Sequence, residues 1–300
     1  MLDAAFLAEE IVQGKGYVLL PKLFKPKEVS EARLQILKLA AEQPAGRFLK
    51  TGERSRLYRL LGEAEIFEQM VQHPQVIEVV EAILGSDMTL GGFSAHILYP
   101  GASNMGAHVD YPYFTITPPY PTTPVMEVQA IWMMEDFTET NGAPLFAANT
   151  QKLCQFPDPE KFAELAHEVT GTAGSVVLSH GLCWHDTSIN HLEKPRVSIL
   201  GNYNPKFVRP LENSAQQLSP MFLEQASPKL RQLLGYEFQS AIFKDVQRLQ
   251  SNRVARGFSP PAPTAPRVRL RTGRFLKEVW TRQPQRIDVQ GWLRNEAPTI

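Results

Sequence analysis

Residues 171–190, GTAGSVVLSHGLCWHDTSIN, contain a turn, a buried-type strand and a tight break. Gly171 and Gly174 mark the turn, and the apolar run that follows has the length of one strand before Gly181 interrupts it. A polar connection then leads to a second apolar run, RVSILGNY, which begins at Arg196. Two short strands joined in this way favour a sheet that folds back on itself, as in a sandwich or a barrel.

Further segments of the chain have the same short, β-rich pattern as this stretch. MTLGGFSAHILYPG (88–101) and VMEVQAIWMMEDF (125–137) are also short, β-rich and bounded by turn residues. Helical spacing of apolar residues dominates before residue 88 and returns after residue 205, although GKGYVLLPKLF near the start predicts one early strand. The sequence therefore predicts a mainly β protein with flanking helices. We expect one domain over residues 1–250, with its β core at about 88–210, and a Pro-rich basic extension over 251–300.

Composition limits the functional classes. The 300 residues carry a formal net charge of zero, which gives no electrostatic reason to expect nucleic acid as a partner. The two cysteines lack metal-site spacing and are typical of reduced thiols in a cytoplasmic protein, with a single bridge between them as the alternative. The N-terminal segment is acidic where a signal peptide would be basic, and its apolar runs are too short to cross a bilayer. We expect a cytoplasmic monomer or homodimer that acts on a small molecule.

A candidate metal site lies in two separate segments. His108 and Asp110 are two residues apart in GAHVDYPY, so on an extended strand their side chains project from the same face. His185 follows much later, and a sheet closed on itself can supply such a distant third ligand. Two histidines and one carboxylate leave three positions of an octahedral site free, an arrangement that suits non-haem Fe(II).

Arg196 is the candidate anchor for a co-substrate. If RVSILGNY runs antiparallel beside the strand of His185, the guanidinium enters the same cavity and can hold a carboxylate through two hydrogen bonds. Ser198 shares its strand face and offers a hydroxyl. Gln129 and Thr187 are further candidate contacts to the co-substrate. A buried arginine without an anionic partner is costly, so a dicarboxylate is a sensible occupant.

The remaining histidines of the opening stretch have other predicted roles. His180 is expected to be a core or hydrogen-bonded residue, because its odd separation from His185 points it the other way on a strand. His191 is expected on the surface. Asn190 is expected to shape the turn, since asparagine bonds readily to nearby backbone.

The aromatic, proline-rich segment YPYFTITPPYPTTP (111–124) follows the metal motif directly and is too rich in proline for a central strand. We interpret it as a loop over the site, where specificity is often set. Tyr111 and Tyr113 from this loop, together with Trp132, are the predicted substrate-lining residues. The neutral charge of the chain and the aromatic loop favour a small, fairly apolar metabolite of a biosynthetic pathway as the substrate.

Taken together over residues 10–235, the chain resembles the phytanoyl-CoA dioxygenase family of Fe(II)- and 2-oxoglutarate-dependent oxygenases. The resemblance rests on the order and spacing of several segments: GYVLLPKLFKPKEVSEARLQI, HPQVIEVVEAILGSDMTL, HVD, MMEDFTETNGAPLF, GSVVLSHGLCWHDTSIN and RVSI. It implies a double-stranded β-helix (a cupin-like jelly roll), iron held by His108, Asp110 and His185, and 2-oxoglutarate anchored by Arg196. One segment departs from the family, since AANTQK (147–152) stands where a Pro-Gly-Ser-His stretch is usual. We expect that segment to be structural or substrate-facing.

The resemblance implies a dioxygenase that uses Fe(II), 2-oxoglutarate and O2 and that hydroxylates an unactivated C–H bond, releasing succinate and CO2. Asp110 occupies the position that related halogenases leave open with a small residue, so halogenation is not expected. Three alternatives remain at this stage: a non-catalytic cupin-like protein that binds a metal or a small ligand, a zinc hydrolase with the same triad, and a scaffold protein that uses the basic C-terminal segment.

Overall fold

The computed structural model describes residues 3–236, so the predicted extension at 251–300 and the end of the predicted domain lie outside the described residues. The strands are β1 Tyr17–Leu20, β2 Phe48–Thr51, β3 Arg54–Tyr58, β4 Thr89–Leu98, β5 Val128–Met133, β6 Pro144–Ala147, β7 Ala166–Glu168, β8 Val176–His180, β9 His185–Thr187 and β10 Arg196–Asn204. The helices are α1 Ala4–Val12, α2 Pro26–Ala41, α3 Glu65–Val71, α4 Pro74–Leu84, α5 Pro159–Leu165, α6 Ser214–Gln217, α7 Pro220–Gln225 and α8 Pro228–Leu233.

The strands form two antiparallel sheets. The large sheet has the order β1-β8-β5-β10-β4-β3-β2, and the small one has the order β7-β6-β9. This arrangement confirms the predicted mainly β fold with a double-stranded β-helix core. Three strands of the large sheet precede residue 88, so the sheet is wider than the segment 88–210 in which the core was expected. Of these three, β1 matches the predicted early strand, whereas the β2–β3 hairpin was not predicted.

The outer face of the large sheet packs on the N-terminal helices and forms the main core. Trp132 on β5 is fully buried there and meets Phe93 edge-on, with ring centroids 5.6 Å apart. Its expected role as a substrate-lining residue is wrong, because side chains alternate along a strand. Gln129 and Ile131 line the interior cavity, and Trp132 therefore faces the helices.

Local sequence signals explain the helices that cover this face. The helical spacing predicted before residue 88 includes α3 and α4, and Pro74 begins the second of them, where its missing N–H is not needed. Gly85 ends α4 with a φ of 88°, a conformation that glycine adopts without strain. No helix within residues 3–236 combines the length and the apolar character needed to span a membrane.

The histidines and the asparagine of the opening stretch lie as predicted. His180 is buried, its Nδ1 accepts a hydrogen bond from the Leu182 amide at 2.9 Å, and burial lowers its pKa to about 4. His191 is exposed. Asn190 is buried and its amide donates to the carbonyls of Leu98 and Lys194 at 3.0 and 2.9 Å, which shapes the connection between β9 and β10.

Candidate functional site

The two predicted segments of the metal motif meet in the structure. His108, Asp110 and His185 each offer a ligand atom, and these atoms lie within 4.8 Å of one another. His185 Nε2 is 3.5 Å from Asp110 Oδ2. A backbone bridge brings the segments together, since His108 and His185 exchange N–H···O bonds of 3.0 and 3.2 Å. The arrangement gathers one carboxylate and two imidazoles at one point, as the sequence predicted.

Backbone carbonyls orient both imidazole rings. His108 Nδ1 lies 2.9 Å from the Gly106 carbonyl, and His185 Nδ1 lies 2.9 Å from the Cys183 carbonyl. Because a carbonyl only accepts, each Nδ1 carries the proton and each Nε2 keeps a free lone pair, which is the tautomer a metal ligand needs. Burial, followed by the neighbouring His185, lowers the pKa of His108 and favours its neutral form.

Asp110 is held by its backbone and by one amide side chain. Its N–H donates to the Gly181 carbonyl at 2.8 Å, and Gln129 Nε2 donates to its Oδ2 at 2.7 Å. The break at Gly181 has a steric reason, since a Cβ there would lie 2.3 Å from Glu127 Oε2. Gln129 lines the cavity, but its amide nitrogen is engaged by Asp110 rather than left free for a co-substrate.

The Q129L variant tests this contact. Leucine preserves much of the side-chain volume but cannot donate to Asp110, so the carboxylate loses a partner that orients it. We expect the Kd for Fe(II) to rise about 10- to 100-fold, the usual effect of removing a partner of a metal ligand. Anaerobic Fe(II) titration measures it, with the exposed helix residue replaced in Q69L as the control. Equal Fe(II) affinity in wild type and Q129L would contradict the role.

Arg196 is almost fully buried and has polar but uncharged partners. Its Nη1 donates to Ser198 Oγ at 2.8 Å, its Nη2 donates to the Gly142 carbonyl, and its guanidinium stacks 4.4 Å above the centroid of the Phe137 ring. Burial lowers its pKa to about 9. Its Nε has no hydrogen-bond partner within the described part of the chain. A buried guanidinium with uncharged partners and an unused N–H donor can still bind an anion.

The predicted pairing of the strand of Arg196 beside that of His185 is wrong. β10 pairs with β4 and β5 in the large sheet, whereas β9 pairs with β6 in the small sheet. Arg196 and His185 nevertheless line one cavity, because the two sheets face each other across it. The guanidinium therefore enters the cavity of His185 as expected, but from the opposite wall.

The cavity has a volume of about 500 Å³. Every predicted metal and co-substrate residue lines it, together with the predicted substrate-lining residue Tyr111: His108, Asp110, Tyr111, Gln129, His185, Thr187, Arg196 and Ser198. Tyr113 does not line it and its predicted role is wrong. It is fully buried against other loop residues, and its hydroxyl accepts a hydrogen bond from the Met126 amide at 2.9 Å. From the same loop, Phe114 lies at the cavity instead.

Several cavity residues were not recognised in the sequence. Arg54 and Arg56 on β3 line the cavity, as does Asp186 next to His185. The sequence Arg-Ser-Arg could have indicated this, because on a strand the two arginine side chains project from the same face. Asp186 accepts hydrogen bonds from the amides of Met105 and Gly106 at 2.9 and 3.0 Å, and so holds the segment that leads to His108.

The segment AANTQK has a structural role. Thr150 Oγ1 donates to the Ala147 carbonyl at 2.7 Å and accepts from the Trp184 amide at 2.8 Å. Gln151 is buried and donates to the Gly14 carbonyl at 3.0 Å. These bonds fix the chain that precedes His185, which supports the first of the two roles expected for the segment.

Comparison with known proteins agrees with this architecture. The model of the phytanoyl-CoA dioxygenase (PhyH) family matches residues 12–198. The protein named dioxygenase af480, from Aspergillus fumigatus, is 28% identical over 239 residues, which are 76% of each chain. An uncharacterised protein of Mycobacterium bovis is 22% identical over 63% of this chain and 70% of its own. Crystal structures of SnoN, a non-haem α-ketoglutarate-dependent epimerase from nogalamycin biosynthesis, superpose with TM-scores of 0.56 and 0.57 at 19% and 18% identity. They cover 69% and 72% of this chain and 83% and 90% of SnoN, and the second contains Fe3+, α-ketoglutarate and nogalamycin RO.

Proposed function

Since the chain belongs to the phytanoyl-CoA dioxygenase (PhyH) family, whose members use Fe(II) and 2-oxoglutarate, we propose that it is a dioxygenase that hydroxylates a small-molecule metabolite. One observation carries the proposal. The triad His108, Asp110 and His185 lies in the same cavity as the buried guanidinium of Arg196. A binding protein needs the metal ligands but has no evident use for a second, cationic anchor in the same cavity.

The donor set fits Fe(II). The Nε2 atoms of His108 and His185 and a carboxylate oxygen of Asp110 are the proposed ligands, a set that leaves positions free for a co-substrate and O2. When bound, the iron together with 2-oxoglutarate supplies the oxidising power, as 2-oxoglutarate is decarboxylated to succinate. Two histidines and a carboxylate can also hold a catalytic zinc, but zinc-dependent hydrolysis does not require a buried cationic anchor such as Arg196 beside the triad.

The residues of this chain bind and orient the co-substrate. Arg196 takes the distal carboxylate of 2-oxoglutarate, with the Ser198 hydroxyl beside it and the Phe137 ring fixing the plane of the guanidinium. Binding there relieves the cost of a buried charge without an ionic partner. Thr187, on the opposite wall, is proposed to contact the same molecule.

Other residues fix the triad and cover the cavity. Gln129 keeps the Asp110 carboxylate oriented, and the backbone carbonyls of Gly106 and Cys183 hold the protons on the Nδ1 atoms. Tyr111 and Phe114 lie at the cavity on the loop that follows the triad. They reduce the access of water to the reacting atoms, and excluding water prevents side reactions in such sites.

The experiment follows 2-oxoglutarate consumption. Anaerobic addition of Fe(II) and 2-oxoglutarate should produce the weak visible charge-transfer band of their complex. When O2 is then admitted, the substrate found in a screen of candidate metabolites should accelerate the release of succinate. The product should be heavier by one oxygen atom. A product of unchanged mass would favour epimerisation, the reaction named for SnoN, and a product that has lost two hydrogens would favour desaturation. Absence of the band and of succinate would contradict the proposal.

A further inference from the structure

Two arginines outside the proposed iron and 2-oxoglutarate sites face the cavity. Arg54 and Arg56 stand at alternate positions of β3 and share its inward face. In the sheet register, Arg54 pairs with Leu98, which pairs with Arg196. Arg54 thus lies two strands from Arg196, about 10 Å away at the usual strand spacing. The large sheet presents a second pair of cationic side chains nearer its β2 edge.

The polar atoms of this wall lack partners. The Nη2 atom of Arg54 is buried and makes no hydrogen bond, and the same holds for Nε2 of His96, the residue that pairs with Arg56 across the strands. Within residues 3–236, neither the Arg54 nor the Arg56 guanidinium forms a hydrogen bond or a salt bridge; Arg56 lies 5.8 Å from the Tyr58 ring. Unpaired buried donors of this kind cost free energy that an anionic ligand recovers.

The carboxylates nearest these arginines are engaged elsewhere. Asp186 accepts hydrogen bonds from three backbone amides, those of Met105, Gly106 and Thr187. Glu212 accepts from the Phe93 amide at 3.0 Å; burial raises its pKa, and the Arg56 guanidinium acts in the opposite direction. Asp186 attracts Arg54 and Glu212 attracts Arg56 at a distance, but no salt bridge joins either pair within residues 3–236.

We infer that the primary substrate is a small organic acid whose carboxylate binds to Arg54 and Arg56. The inference rests on the proposed function and names the substrate class of the same site. Arg196, flanked by the Ser198 hydroxyl, is the anchor for 2-oxoglutarate, and β3 serves the second anion. Leu98 lies between Arg54 and Arg196 in the sheet register, and Leu200 on β10 and Ile131 on β5 add further apolar surface to the cavity wall. The substrate is thus an acid with an apolar body, which makes the small, fairly apolar metabolite expected from the sequence more specific.

Size is consistent with two ligands. A cavity of about 500 Å³ is within the range of small-molecule sites, which is roughly 300–1,000 Å³. The co-substrate 2-oxoglutarate occupies only part of this cavity, so the remaining space suits a compact acid.

The test measures binding rather than turnover. The full-length protein, loaded anaerobically with Fe(II) and saturating 2-oxoglutarate, is titrated calorimetrically with straight-chain monocarboxylates of increasing length, their primary amides and the matching monoalkyl phosphates. We expect the acids to bind, with the amides weaker by about 10- to 100-fold, as for the loss of one charge-assisted hydrogen bond. R54Q and R56Q should weaken acid binding by a similar factor, whereas R54K and R56K should retain more of it.

The matched control is K50Q. Lys50 is exposed on β2 and pairs with Ser55, so this variant removes one positive charge from the same hairpin on its opposite face. It should bind the acids as wild type does. The affinity for 2-oxoglutarate, measured by the charge-transfer band, should change less than about threefold in every β3 variant, and circular dichroism should be unchanged.

Three results would overturn the inference while the charge-transfer band remains intact. These are equal binding of acids and amides, acid binding that is unchanged in R54Q and R56Q, and a loss of 2-oxoglutarate affinity in those variants as large as the loss of acid affinity. Tighter binding of the phosphates than of the carboxylates would overturn the carboxylate assignment. Failure of the proposed function is distinguishable, because wild type would then show no charge-transfer band.

Discussion

The H185Q variant is expected to lose Fe(II) binding and turnover of 2-oxoglutarate. His185 is buried, its Nδ1 is anchored on the Cys183 carbonyl, and its Nε2 lies 3.5 Å from Asp110 Oδ2. Glutamine offers a weak amide oxygen in place of an imidazole nitrogen and leaves two good ligands. Since removal of a mere partner of a ligand costs about 10- to 100-fold, we expect loss of the ligand itself to lower Fe(II) affinity by more than about 100-fold. Anaerobic Fe(II) titration and succinate release measure the effect.

The control is H191Q, which changes an exposed histidine six residues further along the same segment. It should leave Fe(II) affinity and turnover at wild-type values. His185 also stacks on the ring of Phe146 at 5.5 Å, so thermal unfolding of H185Q must be compared with wild type to separate misfolding from ligand loss. Asp110→Ala should abolish turnover for the same reason. Full activity in either ligand variant would remove that residue from the iron site.

The triad could be predicted because its geometry is largely local. His108 and Asp110 are two residues apart in extended chain, and the spacing alone puts both side chains on one face. The segment around His185 was recognised by its turn, its apolar strand and its break at Gly181. The break itself depends on a tertiary contact, since the close approach of Glu127 leaves no room for a Cβ.

Strand pairing could not be predicted in the same way. The sequence between His185 and Arg196 indicates a short connection, which normally joins neighbouring strands. In this fold the connection crosses from the small sheet to the large one, and β10 takes β4 and β5 as its neighbours. Such non-local pairing depends on which edges are free in the assembled sheets, and no local pattern records it.

The orientation of individual aromatic and charged side chains could not be predicted from local sequence either. Tyr113 follows the metal motif closely, but it begins a short 3-10 turn that carries its ring into a separate cluster. Arg54 and Arg56 lie in a short, charged hairpin that is typical of surface chain. Their inward position follows from the pairing of β3 with β4, which places RSR at the wall of the cavity.

The R196Q variant is expected to raise the Kd for 2-oxoglutarate by about 100- to 1,000-fold, within the range for breaking one partner of a buried charged pair. Arg196 is buried between the Ser198 hydroxyl, the Gly142 carbonyl and the Phe137 ring. Glutamine restores part of the polar volume but supplies neither the charge nor the two parallel donors that match a carboxylate. R196K keeps the positive charge but lacks the planar guanidinium. Its affinity for 2-oxoglutarate should therefore fall less than that of R196Q.

Thermal unfolding at increasing 2-oxoglutarate concentration, with Fe(II) held constant under anaerobic conditions, gives a readout independent of turnover. Wild type should gain about 2.7 kcal/mol at a ligand concentration one hundred times its Kd, whereas R196Q should gain little at that concentration. R47Q is the matched control: Arg47 is also partly buried, but its Nη1 already has a protein carboxylate partner, Glu63 Oε1 at 2.5 Å. Because that charge is satisfied within the chain, its removal should leave the ligand-dependent gain unchanged. An equal gain in wild type and R196Q would place the co-substrate elsewhere in the cavity.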